Sequence, residues 1–503
     1  MKKIIYFSTI LYCFTILFSC TEDFLETEPT TEIAEDLVFT DIETIKLAIN
    51  GIYDKLTMPY AFCDGVGGFI MPEIMGNDVL VRSVANYFFW VNQYNYQLTS
   101  NDYEVIFLYR DYYSIIDNAN QIIKYTPELD GNKEEKDAII GEALALRAYA
   151  YFKLVQYFGE YAYTYNPDAR GVPLVTVPLN AESAGQPRVS VSAVYEQIVK
   201  DLEDAVNMMV DGAYDGHLTQ RAAYGLLARV YLTMGDWTNA STYAKLAYEG
   251  MTLMNQAEYL SGFNNPTSET IWTQRYQDND NQGFYSVPSF YYEASGYDAA
   301  GNPINPVFGF NTLRVTENLI NLYSDTDFRK QMFPLDQRLV NAGDPFPYAQ
   351  GPYQSGYWVT KWKSRTTVGT GDFIWMRASE FYLVEAEAEA NLNNLGAARD
   401  ALFVIESRAD ATVTRASLDA YTTKEDLLDE IYKERRRELC CEGFSFFDIK
   451  RLGLSLDRTT STQHWSPTQT IEANSNRFCL PLPQEEIDAN DALTEADQNE
   501  AYR

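Results

Sequence analysis

The segment Ala223–Gly250, AYGLLARVYLTMGDWTNASTYAKLAYEG, decides the fold. Ala223, Leu226, Leu227, Val230, Tyr231 and Met234 recur at the spacing of one helix face. Gly235-Asp236 breaks that pattern, and Ala240, Tyr243, Ala244, Ala247 and Tyr248 resume it. Two antiparallel helices joined by a short turn, with small residues where they cross, form the unit of a tetratricopeptide repeat. Further out, Leu144, Ala148, Tyr151, Phe152 and Val155 fall on one buried stripe. Phe381, Val384, Ala388 and Leu392 make a later stripe, with Leu395-Gly396 read as its turn and Ala397 to Arg408 as the returning helix. Helices are also expected over 42–57, 104–125, 190–209 and 423–441. The predicted fold class is therefore mainly α, a tetratricopeptide-like helical repeat scaffold. The stretch 251–372 is dense in Gly, Pro, Asn, Asp and Tyr, which predicts an inserted subdomain of irregular loops and short strands. A second irregular stretch runs from about Met58 to Asn101.

Composition narrows the function. A net charge of −32 repels phosphate backbones and anionic lipid, so no nucleic-acid partner is expected and any membrane link should be covalent. Only two His occur, His217 and His464, and no Cys-x-x-Cys, so neither a metal site nor a cofactor is expected. Cys440 and Cys441 read as buried free thiols on a helix. Asp278 to Gly283 begins like a calcium loop, but Ser289 stands where the bidentate Glu belongs, which reads as an ordinary polar turn, with a weak surface calcium site the alternative. Gly65-Val66-Gly67-Gly68 lacks the context of a dinucleotide site and reads as a flexible loop. No Gly-x-Ser-x-Gly, His-Glu-x-x-His or Walker loop is present, and no enzyme is expected.

The N-terminus reads as an address. Lys2-Lys3, an apolar run from Ile4 to Phe18 and Ser19-Cys20 describe an export signal over 1–19. Leu17-Phe18-Ser19-Cys20 resembles a bacterial lipobox, with Cys20 the lipidated residue. Residues 20–40 carry no Lys or Arg and read as an acidic tether, leaving 41–503 as the folded domain. Thr21-Glu22-Asp23 resembles the surface-export signal of Bacteroidetes lipoproteins.

Five segments, taken in order, resemble the SusD/RagB family. They are Asp23-Phe24-Leu25 with the helix ending in Ile52-Tyr53, and Ala145–Val155 with Tyr157-Phe158-Gly159 and Gly171–Val175. The Ala223–Gly250 repeat, Met376–Ala388, and Glu434–Leu439 with Glu442-Gly443-Phe444 and Phe446–Arg451 complete the set. One departure is Phe444-Ser445, where the family often has an aromatic or His followed by a basic residue. The Arg435–Arg437 run, flanked by Glu434 and Glu438 on one helix, reads as ion pairs rather than a phosphate site. The resemblance implies an outer-membrane, lipid-anchored, cell-surface protein that captures an oligosaccharide and delivers it to a SusC-like TonB-dependent transporter. The same scaffold binding peptides or another oligomeric nutrient is the alternative, and a protein-assembly scaffold without a small ligand is a further one.

Aromatic rings in loops are the candidate ligand platforms, because the C–H face of a sugar packs on a ring while its hydroxyls need polar neighbours. Tyr87, Trp90, Tyr94 and Tyr96 are expected to stack, with Asn77, Asp78 and Arg82 supplying hydrogen bonds. Phe88 and Phe89 are alternatively anchors of that loop to the core. Tyr285, Phe290, Tyr291 and Tyr292 form a second group, of which Tyr291 and Tyr292 are the expected contacts. Tyr357, Trp358 and Trp362 form a third, and a buried strand or turn is expected for its tryptophans.

Overall fold

A computed structural model describes residues 39–503 apart from 58–64, 84–85, 181, 213–215, 278, 280–281, 292–293, 298–302, 307–308, 336–355 and 366–368. The expected signal, lipobox Cys20 and most of the tether lie outside the described residues, as do Tyr292 and much of the Asp278–Gly283 turn.

The scaffold is a series of packed antiparallel helices. Tyr103–Tyr125 packs on Lys133–Phe158, which packs on Val191–Met208. Gln220–Met234 and Trp237–Tyr248 form the repeat read from sequence. Gly235 closes the first helix at φ 75°, a left-handed conformation that Gly adopts at low cost. The Asp236 side chain caps the second by accepting from Asn239 N at 3.1 Å. Small residues allow a third helix, Ala378–Asn391, to approach. A Cβ on Gly225 would sit 2.7 Å from the Phe381 ring, and Ala240, Ala244 and Ala247 are fully buried.

The late pair turns earlier than its sequence suggested. Leu395-Gly396 opens the helix Leu395–Ala409, and the turn is made by Asn393 at φ 63° with Asn394 as N-cap. Asn tolerates the left-handed region because its short side chain bonds locally. The Val66–Ile74 helix also departs from expectation, because Gly67 and Gly68 are helical rather than a loop. Burial overrides propensity there: Phe69, Ile70 and Met71 are buried, and Gly443 at φ 86° lies against the Gly68 carbonyl with no room for a Cβ. Cys440 and Cys441 are buried free thiols, as expected, but they follow the Lys424–Leu439 helix rather than lying within it.

Two short ladders knit the irregular stretches to each other and to the scaffold. Thr270–Gln274 pairs antiparallel with Phe373–Arg377, which runs directly into the Ala378–Asn391 helix. Val79–Val81 pairs with Leu313–Val315, Val79 opposite Val315, so the early stretch lies beside the inserted one.

Beneath these ladders lies a buried ionic cluster. Glu438 is fully buried and accepts from Arg329 at 2.7 Å, Arg408 at 2.5 Å and Arg377. Arg377 also binds Glu442 and Glu269, and Lys361 binds Glu442 together with the carbonyls of Glu438 and Cys440. The Arg435–Arg437 run is spent the same way, on Asp448, on Asp78 and on Glu406, Glu430 and Glu434. Removing one member of a buried pair strands the others. Replacing Glu438 with Gln should therefore destabilise the protein by about 3–5 kcal/mol in chemical denaturation. Replacing Lys200, whose pair with Asp204 is exposed, should shift stability by less than about 0.5 kcal/mol.

Candidate ligand-binding surface

The Val79–Val81 ladder is extended by Arg82 N, which donates to Thr312 O at 2.8 Å, and it delivers the chain to Asn86. Asn86 builds a local turn. Its amide donates to Arg82 O at 2.8 Å, and its side-chain oxygen accepts from Phe88 N at 2.9 Å. Tyr87 and Phe88 then take φ values of 53° and 63°, a conformation costly for bulky side chains. This turn drives both rings outward: Tyr87 is 61% exposed and Phe88 is 92% exposed. Backbone strain of order 1–3 kcal/mol per residue persists where surrounding structure over-determines it, often at functional sites.

The inserted stretch completes an aromatic surface around these two. Phe310 lies 5.7 Å from the Tyr87 ring, 4.7 Å from Phe89 and 6.0 Å from Phe284, centroid to centroid. Tyr285 packs on Phe310 at 5.4 Å, and Phe284 is half exposed. Ser289 fixes Phe310 by accepting from its N–H at 3.0 Å. The surface thus joins loops from the first two of the three aromatic groups picked out in the sequence.

Most of the rings expected to bind ligand are instead its foundation. Trp90 is only 4% exposed, with Phe290 edge-on at 5.5 Å, and Tyr291 is fully buried. Tyr96 is buried and donates to Met75 O. Asp78 is buried and chelates Arg436 at 2.9 and 2.7 Å, and the Asn77 side chain accepts from Asp457 N at 3.0 Å. Trp90, Tyr96, Asp78 and Tyr291 present almost no face to solvent and Asn77 is half-buried with its side chain engaged, so the ligand-contact expectation for them gives way to a supporting role. Arg82 is half-buried and donates to Asn311 O at 3.3 Å, near the rim. Trp358 and Trp362 are buried in loop and turn, and Trp362 donates to Cys441 O at 2.9 Å. Phe284 and Phe310 went unread in the sequence. Their only signal was position, beside Gly283 and Gly309 in the inserted stretch.

Two further residues hold the loop from below. Arg458 is fully buried and donates to the carbonyls of Ile74, Gly76 and Tyr94 at 2.6, 3.1 and 2.7 Å. Its guanidinium lies 4.5 Å from the Tyr94 ring centre. His464 bridges the same elements, with Nε2 3.0 Å from Asn77 O and Nδ1 2.8 Å from the Tyr94 hydroxyl. A carbonyl can only accept, so Nε2 carries the proton, and in the neutral ring Nδ1 accepts from Tyr94. Burial and then the Arg458 charge lower His464 from 6.5 to about 4.

Comparison with known proteins follows this geometry. Residues 23–232 match a family described as "Starch-binding associating with outer membrane", and residues 348–502 match the SusD family. The chain belongs to the SusD/RagB family. SusD-like protein P2 of Formosa agariphila is 24% identical over 98% of this chain and 99% of its own. A SusD superfamily protein from Bacteroides thetaiotaomicron superposes with a TM-score of 0.77 at 26% identity, covering 92% of this chain and 100% of its own. The surface glycan-binding protein A of Bacteroides uniformis superposes with a TM-score of 0.69 at 22% identity, over 92% of this chain and 100% of its own. The helical scaffold is thus that of the SusD superfamily.

His464 couples the loop to pH. Its pKa is lower folded than unfolded, so the unfolded chain binds the extra proton. That stability is complete above about pH 6.5 and is lost as pH falls toward 4. The loss amounts to about 3 kcal/mol. Denaturant midpoints at about pH 7 and about pH 4.5 should show His464→Gln removing this part of the wild-type acid sensitivity.

Proposed function

We propose that this SusD/RagB protein is a cell-surface lipoprotein that captures an oligosaccharide without transforming it and delivers it to a SusC-like TonB-dependent transporter. The observation that carries the capture step is the outward-turned pair Tyr87 and Phe88 beside Phe284, Tyr285 and Phe310. Exposed rings held in a costly conformation are poorly explained by folding alone, and flat apolar faces suit the C–H faces of sugar rings. The description of the matching family and the name of the Bacteroides uniformis protein support a glycan rather than a peptide. Tyr87 and Phe88 are the stacking platforms in this reading, Arg82 is the hydrogen-bond donor at the rim, and Tyr292 remains a candidate contact. Trp90, Tyr94, Tyr96, Asn77, Asp78 and Tyr291 act by holding the surface in place. The family description supports placement at the outer membrane, and the lipobox around Cys20 supplies the anchor.

Replacing Phe88 with Ala should weaken glycan binding about tenfold, roughly 1.4 kcal/mol for one lost platform, with an unchanged melting temperature. Trp90→Ala should instead lower the melting temperature, because it opens a cavity. Isothermal titration and thermal melts separate the two; a Phe88→Ala protein that binds as tightly as wild type would sink the reading. Radiolabelled palmitate should mark the wild type and not a Cys20→Ala variant.

A further inference from the structure

A second concave region lies apart from the aromatic rings. It is an open cleft of about 790 Å³ between the Ile42–Thr57 helix, the loop before Gln220–Met234 and the segment that follows strand Thr270–Gln274. Its described lining contains five carboxamides, Asn50, Asn265, Gln274, Gln277 and Asn279, together with Arg275, Arg365 and His217. A carboxamide offers both donors and an acceptor, the pattern that a sugar hydroxyl answers.

The wall is braced from behind. Arg365 donates to Asp372 at 2.7 Å, to Asn264 O at 2.6 Å and to Tyr276 O, and Asp372 accepts from Tyr276 N at 2.9 Å. On the opposite side, Tyr53 donates to Glu142 at 2.5 Å, and His217 lies 2.8 Å from the same carboxylate. These acids are thus engaged behind the surface. Asn50, Asn265, Arg275, Gln277 and Asn279 are exposed at the front.

One segment carries both concave features. Gln277 precedes Phe284 by seven residues, so their backbones are separated by no more than roughly 25 Å. Between them Gln282 is buried and donates to Thr57 O at 2.7 Å and to the Tyr276 hydroxyl at 2.9 Å, which ties the segment to the Ile42–Thr57 helix. We infer that the amide-lined cleft is a second saccharide subsite, which reads hydroxyls where the aromatic surface reads ring faces. It takes the distal units of an oligosaccharide long enough to reach both. A chain engaged at one subsite meets the other at high effective concentration, so affinity grows with chain length.

This inference rests on the saccharide reading of the aromatic surface. The test is isothermal titration of the mature protein with malto-, cello-, xylo- and manno-oligosaccharides, from disaccharide to octasaccharide. The protein forms are wild type, Phe88→Ala and the double variant Gln277→Ala with Asn279→Ala, both exposed positions. For the saccharide class that binds, wild-type affinity should keep rising with length. The double variant should bind short members as wild type does and long members about threefold to tenfold more weakly, the effect of one or two net hydrogen bonds. Superimposable length profiles for the double variant and wild type would overturn the cleft subsite while leaving the aromatic surface standing, provided Phe88→Ala still weakens binding. A wild type that binds no saccharide in any ladder overturns both.

Discussion

Glu438 is the point on which the structure turns. A carboxylate without solvent is stable only when cations replace its water, and here Arg329, Arg377 and Arg408 converge on it from three separate parts of the chain. Arg329 lies in the inserted stretch, Arg377 ends the strand that enters Ala378–Asn391, and Arg408 lies in the helix that returns from it. The same carboxylate therefore fixes the late helical pair and the irregular subdomain relative to one another. Its cations hold its pKa well below the usual carboxylate range. Apolar packing alone is less directional and would tolerate more than one seating of so loop-rich an insert.

A second constraint, smaller but nearer the ligand surface, is the demand of buried carbonyls for donors. The carbonyls of Ile74, Gly76, Asn77 and Tyr94 point inward. Arg458 answers three of them with a single guanidinium, and His464 answers Asn77. Among the described residues no carboxylate pairs with Arg458, so its positive charge stays in the foundation and adds to burial in keeping His464 neutral. The outer rings of Tyr87 and Phe88 contribute little to this foundation. In the proposed reading they serve recognition while their supports lie elsewhere.

The scaffold was legible in the sequence because helix periodicity is local. The expected helices at 42–57, 104–125, 190–209 and 423–441 stand at Ile42–Thr57, Tyr103–Tyr125, Val191–Met208 and Lys424–Leu439. The Val66–Ile74 helix was not legible, since two glycines and Pro72 argue against it and only its burial argues for it. The proposed ligand surface was legible as two aromatic-rich loops but not as a set of residues. A ring's type does not say whether it faces in or out. Trp90 and Phe88 stand two positions apart, both with positive φ, yet Trp90 packs against Phe290 while Phe88 stands in solvent on the turn that Asn86 stabilises. That the loops meet follows from the pairing of Val79 with Val315, a contact between distant parts of the chain that no local pattern announces.

That distant pairing has a kinetic corollary. Closing a loop between Val79 and Val315 costs more entropy than forming any single helix hairpin, so the two halves of the aromatic surface are expected to come together late in folding. Intermediates with the repeats already built would lack a competent grip on cargo. A bound glycan would then stabilise the completed native state against every partly assembled one, and occupancy would act as a report on assembly of the whole molecule.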